Sequence, residues 1–193
     1  MRTIFFLLIL LSGRAAFCQD SFVDQIDSLP LSLRGFVIPG YAPLDTAFAD
    51  LNQDGIQDAI LVLKSTDEDD TETEHNRPML LLIGQKDGPF TIAFRNDDVV
   101  YGPGLEDPFY GVKAKKGQFT IDHSVWGGQH WEEKITFKYD SKENDWFLDR
   151  IYYLSMKLNP SRNPRAEALI KDKEYTKTSK NFGRIRFASY KHE

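Results

Sequence analysis

Two short, uninterrupted apolar runs constrain this chain more than any other feature. Residues 59–63 read Ala-Ile-Leu-Val-Leu and residues 79–83 read Met-Leu-Leu-Leu-Ile, the second ending at Gly84. Successive side chains of a strand point to opposite faces, so a run without a polar residue suits a strand buried on both. The two runs therefore predict central neighbours of one sheet. Between them, residues 64–77 pack Asp67, Glu68, Asp69, Asp70, Glu72 and Glu74 into a span with almost no apolar side chain. Such a composition cannot bury itself and predicts a solvated, mobile hairpin tip.

Other segments alternate with a period of two. Phe90, Ile92 and Phe94 form one such series, and Phe119, Ile121, His123 and Val125 a second. The clearest places Trp131, Glu133, Ile135, Phe137 and Tyr139 on one face, with Glu132, Lys134, Thr136 and Lys138 on the other. One face is core and the other is wet. Short polar turns separate these strands, among them Gly84 to Pro89, Lys116-Gly117 and Asp140 to Asp145. Sequential strands joined this way favour an antiparallel meander. The expected fold is mainly β, with about seven to nine strands in a curved sheet or a small sandwich or barrel, plus minor short helices.

Helical spacing is scarce. Phe22, Ile26 and Leu29 recur at helical intervals until Pro30 ends the pattern, which predicts one short N-terminal helix. Asn163 as cap and Pro164 in the first turn predict a second, running to Ile170. The closing segment, Phe182 to Tyr190, alternates again and predicts a last strand.

The chain opens with Met1-Arg2-Thr3, an eight-residue apolar run from Ile4 to Leu11, and small residues up to Cys18. These are the three parts of a secretory signal, and the apolar run is far short of the roughly 20 residues that cross a bilayer. The expectation is a signal peptide over residues 1–18, cleavage after Cys18, and one β-rich domain over residues 19–193. Cys18 also stands where a lipid-modified cysteine would, although Phe17 disfavours that processing. No transmembrane segment is expected, and the location is exported, periplasmic or extracellular. Without Arg2 and Arg14 the remainder carries 22 basic and 29 acidic residues, a net of −7. An acidic chain repels phosphate backbones, so nucleic acid is an unsuitable partner. Cys18 is the only cysteine, which excludes a disulfide within the domain and leaves stability to the core and to any bound metal.

One segment carries recognisable chemistry. Asp50-Leu51-Asn52-Gln53-Asp54-Gly55-Ile56-Gln57-Asp58 sets oxygen-bearing side chains at alternate positions, then a glycine for a sharp bend. Calcium requires several oxygens converging on a tight backbone curl. Asp50, Asn52 and Asp54 supply three, the carbonyl of Ile56 can turn inward, and Asp58 closes the set. Leu61 stands where an EF-hand places its bidentate glutamate, so a helix-flanked EF-hand is excluded. The segment resembles the calcium loop of FG-GAP and VCBS repeats, in which DxNxDGxxD joins two strands. That resemblance implies Asp50, Asn52, Asp54 and Asp58 as side-chain ligands and Ile56 as the backbone ligand. Those repeats occur in tandem, whereas this chain has a single copy over nine residues. As a whole it is similar to small exported bacterial β-proteins with one such loop ahead of a Trp-rich meander.

The competing explanation is that Asp, Asn and Gly are turn formers at a hairpin corner. Elsewhere, His123 and His130 with Glu132 and Glu133 suggest a zinc or acid–base site, but their spacing fits no metal motif. Trp126, Trp131, Trp146, Tyr152 and Tyr153 read as core, with a stacking face for carbohydrate or protein as the alternative. No GxSxG, HExxH or phosphate-binding glycine loop is present. These observations favour a non-catalytic exported domain, calcium-bound and serving an envelope protein or glycan. The alternative is an acid–base hydrolase using carboxylates of Asn96 to Pro108 or near His130.

Overall fold

A computed structural model describes residues 22–68, 75–104, 106–126, 130–161, 163 and 165–192. The proposed signal (residues 1–18) and the acids from Asp69 to Glu74 lie outside them. Among the described residues, nine antiparallel strands form two open sheets, each in sequential order. The first contains β1 (Tyr41–Ala49), β2 (Asp58–Ser65), β3 (Met79–Gln85) and β4 (Gly88–Asn96). The second contains β5 (Phe109–Lys115), β6 (Gln118–Val125), β7 (Trp131–Asp140), β8 (Asp145–Leu158) and β9 (Leu169–Thr178). The mainly β meander expected from the sequence is the observed fold, arranged as a sandwich and not a closed barrel.

The two apolar runs are β2 and β3, paired side by side with Leu61 opposite Leu80. Their alternate residues serve two separate cores. Ile60, Val62, Met79 and Leu81 face the second sheet and pack with Phe119, Ile121, Ile135, Phe137 and Leu148. Ala59, Leu61, Leu63, Leu80 and Leu82 face the other way, where Leu29 and Leu33 cover them. Those two leucines come from the N-terminal segment, in which α1 (Phe22–Ser28) and α2 (Leu31–Arg34) are separated by Pro30. Arg34 ties the pair together, donating from Nε to the Leu29 carbonyl at 3.0 Å and from its guanidinium to Asp27 at 2.7 Å. Buried apolar side chains contribute about 1.5–3 kcal/mol each, so the two-faced burial of β2 and β3 anchors the molecule.

Three expectations fail for physical reasons. The alternation Phe90, Ile92, Phe94 does not stay on one face. A bulge lets Leu81 pair with Phe94 while Leu82 pairs with Ile92, and one extra residue moves the next side chain to the opposite face. Phe94 consequently joins the inner core, Phe90 the outer one, and Ile92 is exposed. Second, Asn163 accepts the Arg165 N–H at 3.0 Å, but only a turn follows, and Leu169 and Ile170 begin β9 instead of ending a helix. Third, the closing segment is not a strand. After α3 (Ser179–Phe182) it makes one bridge, Arg186 to Phe147, and a 3-10 turn, Phe187–Ser189. That turn drives Phe187 and Tyr190 into the core against Phe137, at 5.3 and 5.6 Å between ring centroids. Buried Asn96 holds it there, donating through its amide to the carbonyls of Phe187 (2.5 Å) and Tyr190 (2.9 Å).

The expected hairpin tip also ends differently, because Arg77 is buried. Its guanidinium donates to Glu68 at 2.6 and 2.9 Å and to Asp107 at 2.6 and 2.8 Å. A further bond, at 3.2 Å, reaches the Tyr101 carbonyl. Arg77 thereby joins the base of the β2–β3 connection to the irregular segment before β5. At the other junction, Asp45 of β1 accepts the Val112 N–H of β5 at 2.7 Å.

Candidate metal loop

The segment from Asp50 to Asp58 connects β1 to β2 where the two sheets approach each other. Its curl arises from local hydrogen bonding. Asn52 Oδ1 accepts the Asp54 N–H at 3.0 Å, and Asp54 Oδ1 accepts the Ile56 N–H at 2.7 Å. These are successive Asx turns, in which a short polar side chain captures the backbone two residues on. Gln53 (φ 63°) and Gly55 (φ 88°) take left-handed conformations, which Gly55 adopts without a Cβ penalty. Asp50 Oδ2 accepts the Gly55 N–H across the curl at 3.2 Å, and the Lys116 ammonium lies 3.0 Å from the same oxygen.

Asp58 has a duty that spacing does not disclose. It is fully buried, and its carboxylate accepts three backbone N–H groups. Oδ2 takes those of Leu51 (2.7 Å) and Asn52 (3.1 Å), and Oδ1 takes that of Gly84 (2.9 Å). Burial pushes this carboxyl above the usual aspartate range, against the three donors that favour its charge. The strap draws the loop onto β3 so closely that a Cβ at Gly84 would lie 2.2 Å from the Gln57 carbonyl oxygen. From the second sheet, the Gly117 N–H donates to the Asp50 carbonyl at 2.9 Å.

One motif oxygen stands apart. Asp50 Oδ1 is out of water and has no hydrogen-bond partner. Burial would raise the Asp50 carboxyl, but Lys116 and the loop N–H groups outweigh it and hold it below its usual range. It is therefore an anion with one oxygen unsatisfied. Among the described residues, no three His, Cys, Asp or Glu side chains gather closely enough to share an ion. A cation here would therefore draw on Asn52 and the Ile56 carbonyl as well as on the acids.

The other candidates separate. His123 pairs with Glu133 across β6 and β7, while His130 precedes β7 and packs its ring on Trp126 at 4.1 Å. Three residues of strand span about 10 Å, so the two histidines do not form one site. His123 is buried and its Nε2 accepts the Tyr101 N–H at 3.3 Å. Burial, then repulsion from His192 and Arg77, lowers it to about 3, so the imidazole is neutral. In the segment Asn96 to Pro108, Asp97 pairs with Arg95, Asp98 with Lys191 and Asp107 with Arg77. Of the tryptophans, Trp146 is core, Trp131 is half-buried and Trp126 is exposed.

Sequence reasoning did not identify a cavity of about 350 Å³ against β7, β8 and β9. Among the described residues, Glu133 is the only carboxylate in its lining, set among tyrosines. The available signal was a glutamate on the inward face of β7, between Trp131 and Ile135.

Compared with known proteins, the chain matches no protein-family model, no curated protein and no solved structure. Among the described residues no helix is long and apolar enough to cross a membrane.

Proposed function

We propose that the chain is an exported, non-catalytic β domain that binds an envelope partner and is stabilised by one calcium ion at the β1–β2 loop. The leader-like residues 1–18 motivate export. The ligand set would be Asp50, Asn52, Asp54 and Asp58 through their side chains and Ile56 through its carbonyl. The observation that carries the metal reading is Asp50 Oδ1. Every other side-chain oxygen of the four proposed side-chain ligands accepts a hydrogen bond or an ammonium contact, whereas this one is buried and unpartnered. An unsatisfied buried charged oxygen costs upwards of about 1–3 kcal/mol, which a hard cation would relieve. An oxygen that accepts one N–H keeps a second lone pair, so the Asx turns are compatible with ligation.

At about 1 mM calcium and a dissociation constant near 0.1 mM, binding adds roughly 1.4 kcal/mol to stability. For a domain of this length that corresponds to a rise of roughly 3–5 °C in Tm. The test is thermal melting in calcium and in chelator, for the parent chain and for Asp54→Ala. The expected result is a calcium-dependent rise in the parent that disappears in the variant. Identical melting of the parent in both buffers refutes the metal reading.

A further inference from the structure

The cavity beside β7 is built on a single cross-strand row. Glu133 of β7 is opposite Tyr153 of β8, and Tyr153 is opposite Tyr175 of β9; His123 of β6, opposite Glu133, extends the row beyond the lining. The rings of Tyr153 and Tyr175 stack at 5.1 Å. Above the row lies a second aromatic pair from irregular segments, Tyr101 and His192, stacked at 3.7 Å. Tyr190 meets the His192 ring edge-on at 5.4 Å. Leu148 and Ile151 complete an apolar wall. A volume of about 350 Å³ lies within the range of small-molecule sites and suits a single-ring compound.

The chemistry at the centre is unbalanced. Glu133 Oε2 is out of water and has no hydrogen-bond partner. His192 Nδ1 lies 3.9 Å from Glu133 Oε2, and burial lowers the His192 imidazole below its usual range. Two lysines also line the cavity. Lys177 lies over the Tyr175 ring at 5.8 Å, and Lys191 is 3.4 Å from Asp98. Lys177 and the Tyr101 phenol favour the charged carboxylate, but burial outweighs them and pushes Glu133 upward. A buried acid with an open oxygen, facing tyrosine rings, accepts a positively charged donor at its carboxylate and along the ring faces.

We propose that this cavity binds a small organic ammonium ion, carried on an aromatic or aliphatic body, with the ammonium on Glu133 and the body against Tyr153 and Tyr175. A carboxylate-bearing ligand would face Glu133 at short range, and a neutral alcohol would bring no charge to its open oxygen. The loop from Asp50 to Asp58 contributes nothing to the lining, so the site does not depend on calcium.

Three probes of one shape test this in chelator: benzylamine, benzyl alcohol and benzoate, titrated calorimetrically or by ligand-observed NMR against the whole chain. Benzylamine is expected to bind roughly tenfold more tightly than benzyl alcohol, and benzoate the most weakly. Glu133→Gln, checked for folding by its melt, should bring benzylamine within about twofold of the alcohol. Should that variant fail to fold, Tyr175→Leu serves, with all probes weakened and the charge preference retained. Equal affinity for amine and alcohol, tighter benzoate, or no saturable benzylamine binding overturns the proposal. So does an unchanged preference in folded Glu133→Gln.

Discussion

Arg77 and Glu133 are both withdrawn from water, and the fold treats them in opposite ways. Arg77 donates to two carboxylates and a carbonyl, and those partners hold the guanidinium charged. Glu133 sits among rings with one oxygen unpartnered and its carboxyl pushed upward by burial. A saturated buried charge is part of the frame, because its removal strands its partners. An unsaturated one costs stability in the free protein and is retained where something else completes it. The β1–β2 loop contains both kinds within nine residues, saturated Asp58 and half-satisfied Asp50.

The largest expected effect lies on the saturated side. Arg77→Met should lose roughly 3 kcal/mol in chemical denaturation, since it leaves Glu68 unpaired at a mostly buried position while Asp107 is half in water. Next is the strap. In chelator, Asp58→Ala should cost roughly 2 kcal/mol by stranding the Leu51, Asn52 and Gly84 N–H groups, and Asp54→Ala under about 1 kcal/mol. Equal costs would mean that Asp58 is not specially placed.

On the unsaturated side the sign reverses. Glu133→Gln should gain up to about 1 kcal/mol at pH 7, because it removes a buried charge. The folded Glu133 carboxyl is raised, so its contribution to stability is fullest below the usual glutamate range and falls as pH rises through the folded value. The advantage of the amide should therefore shrink on acidification; Tyr101, Lys177 and His192 are the titratable groups that face it. His123 works in the opposite sense. Its folded value is depressed to about 3, so its contribution is present above the usual imidazole range and is lost as pH falls. The parent should accordingly melt lower in acid, and the difference between parent and Glu133→Gln isolates the carboxylate. The smallest effect concerns Asp50. Lys116→Met removes a competing ammonium and should tighten calcium binding about threefold.

The legible parts of the fold were those whose pattern is imposed by burial. The runs Ala59–Leu63 and Met79–Ile83 could satisfy two faces only as central strands, and Pro30 marked the break between α1 and α2. β9 was not legible because it is an edge strand, with Lys171, Asp172, Lys173 and Glu174 exposed. Such charge discourages further pairing and conceals the strand signal. The final segment alternates like a strand, yet Asn96 captures its carbonyls, a contact spanning more than 90 residues. The curl at Asp50 was legible because the Asp, Asn and Gly residues that make its turns are adjacent in sequence. The cavity was not, because Glu133, Tyr153 and Tyr175 meet only through strand register, and Glu133 reads as one more polar residue on an alternating strand.

Paired melts of Arg77→Met and Glu133→Gln at pH 7 in chelator, each against the parent, test the contrast most directly. The account predicts shifts of opposite sign, downward by several degrees for Arg77→Met and upward for Glu133→Gln. If the glutamine variant also melts several degrees lower, Glu133 belongs to the frame, and the distinction between saturated and open buried charges does not hold for this molecule.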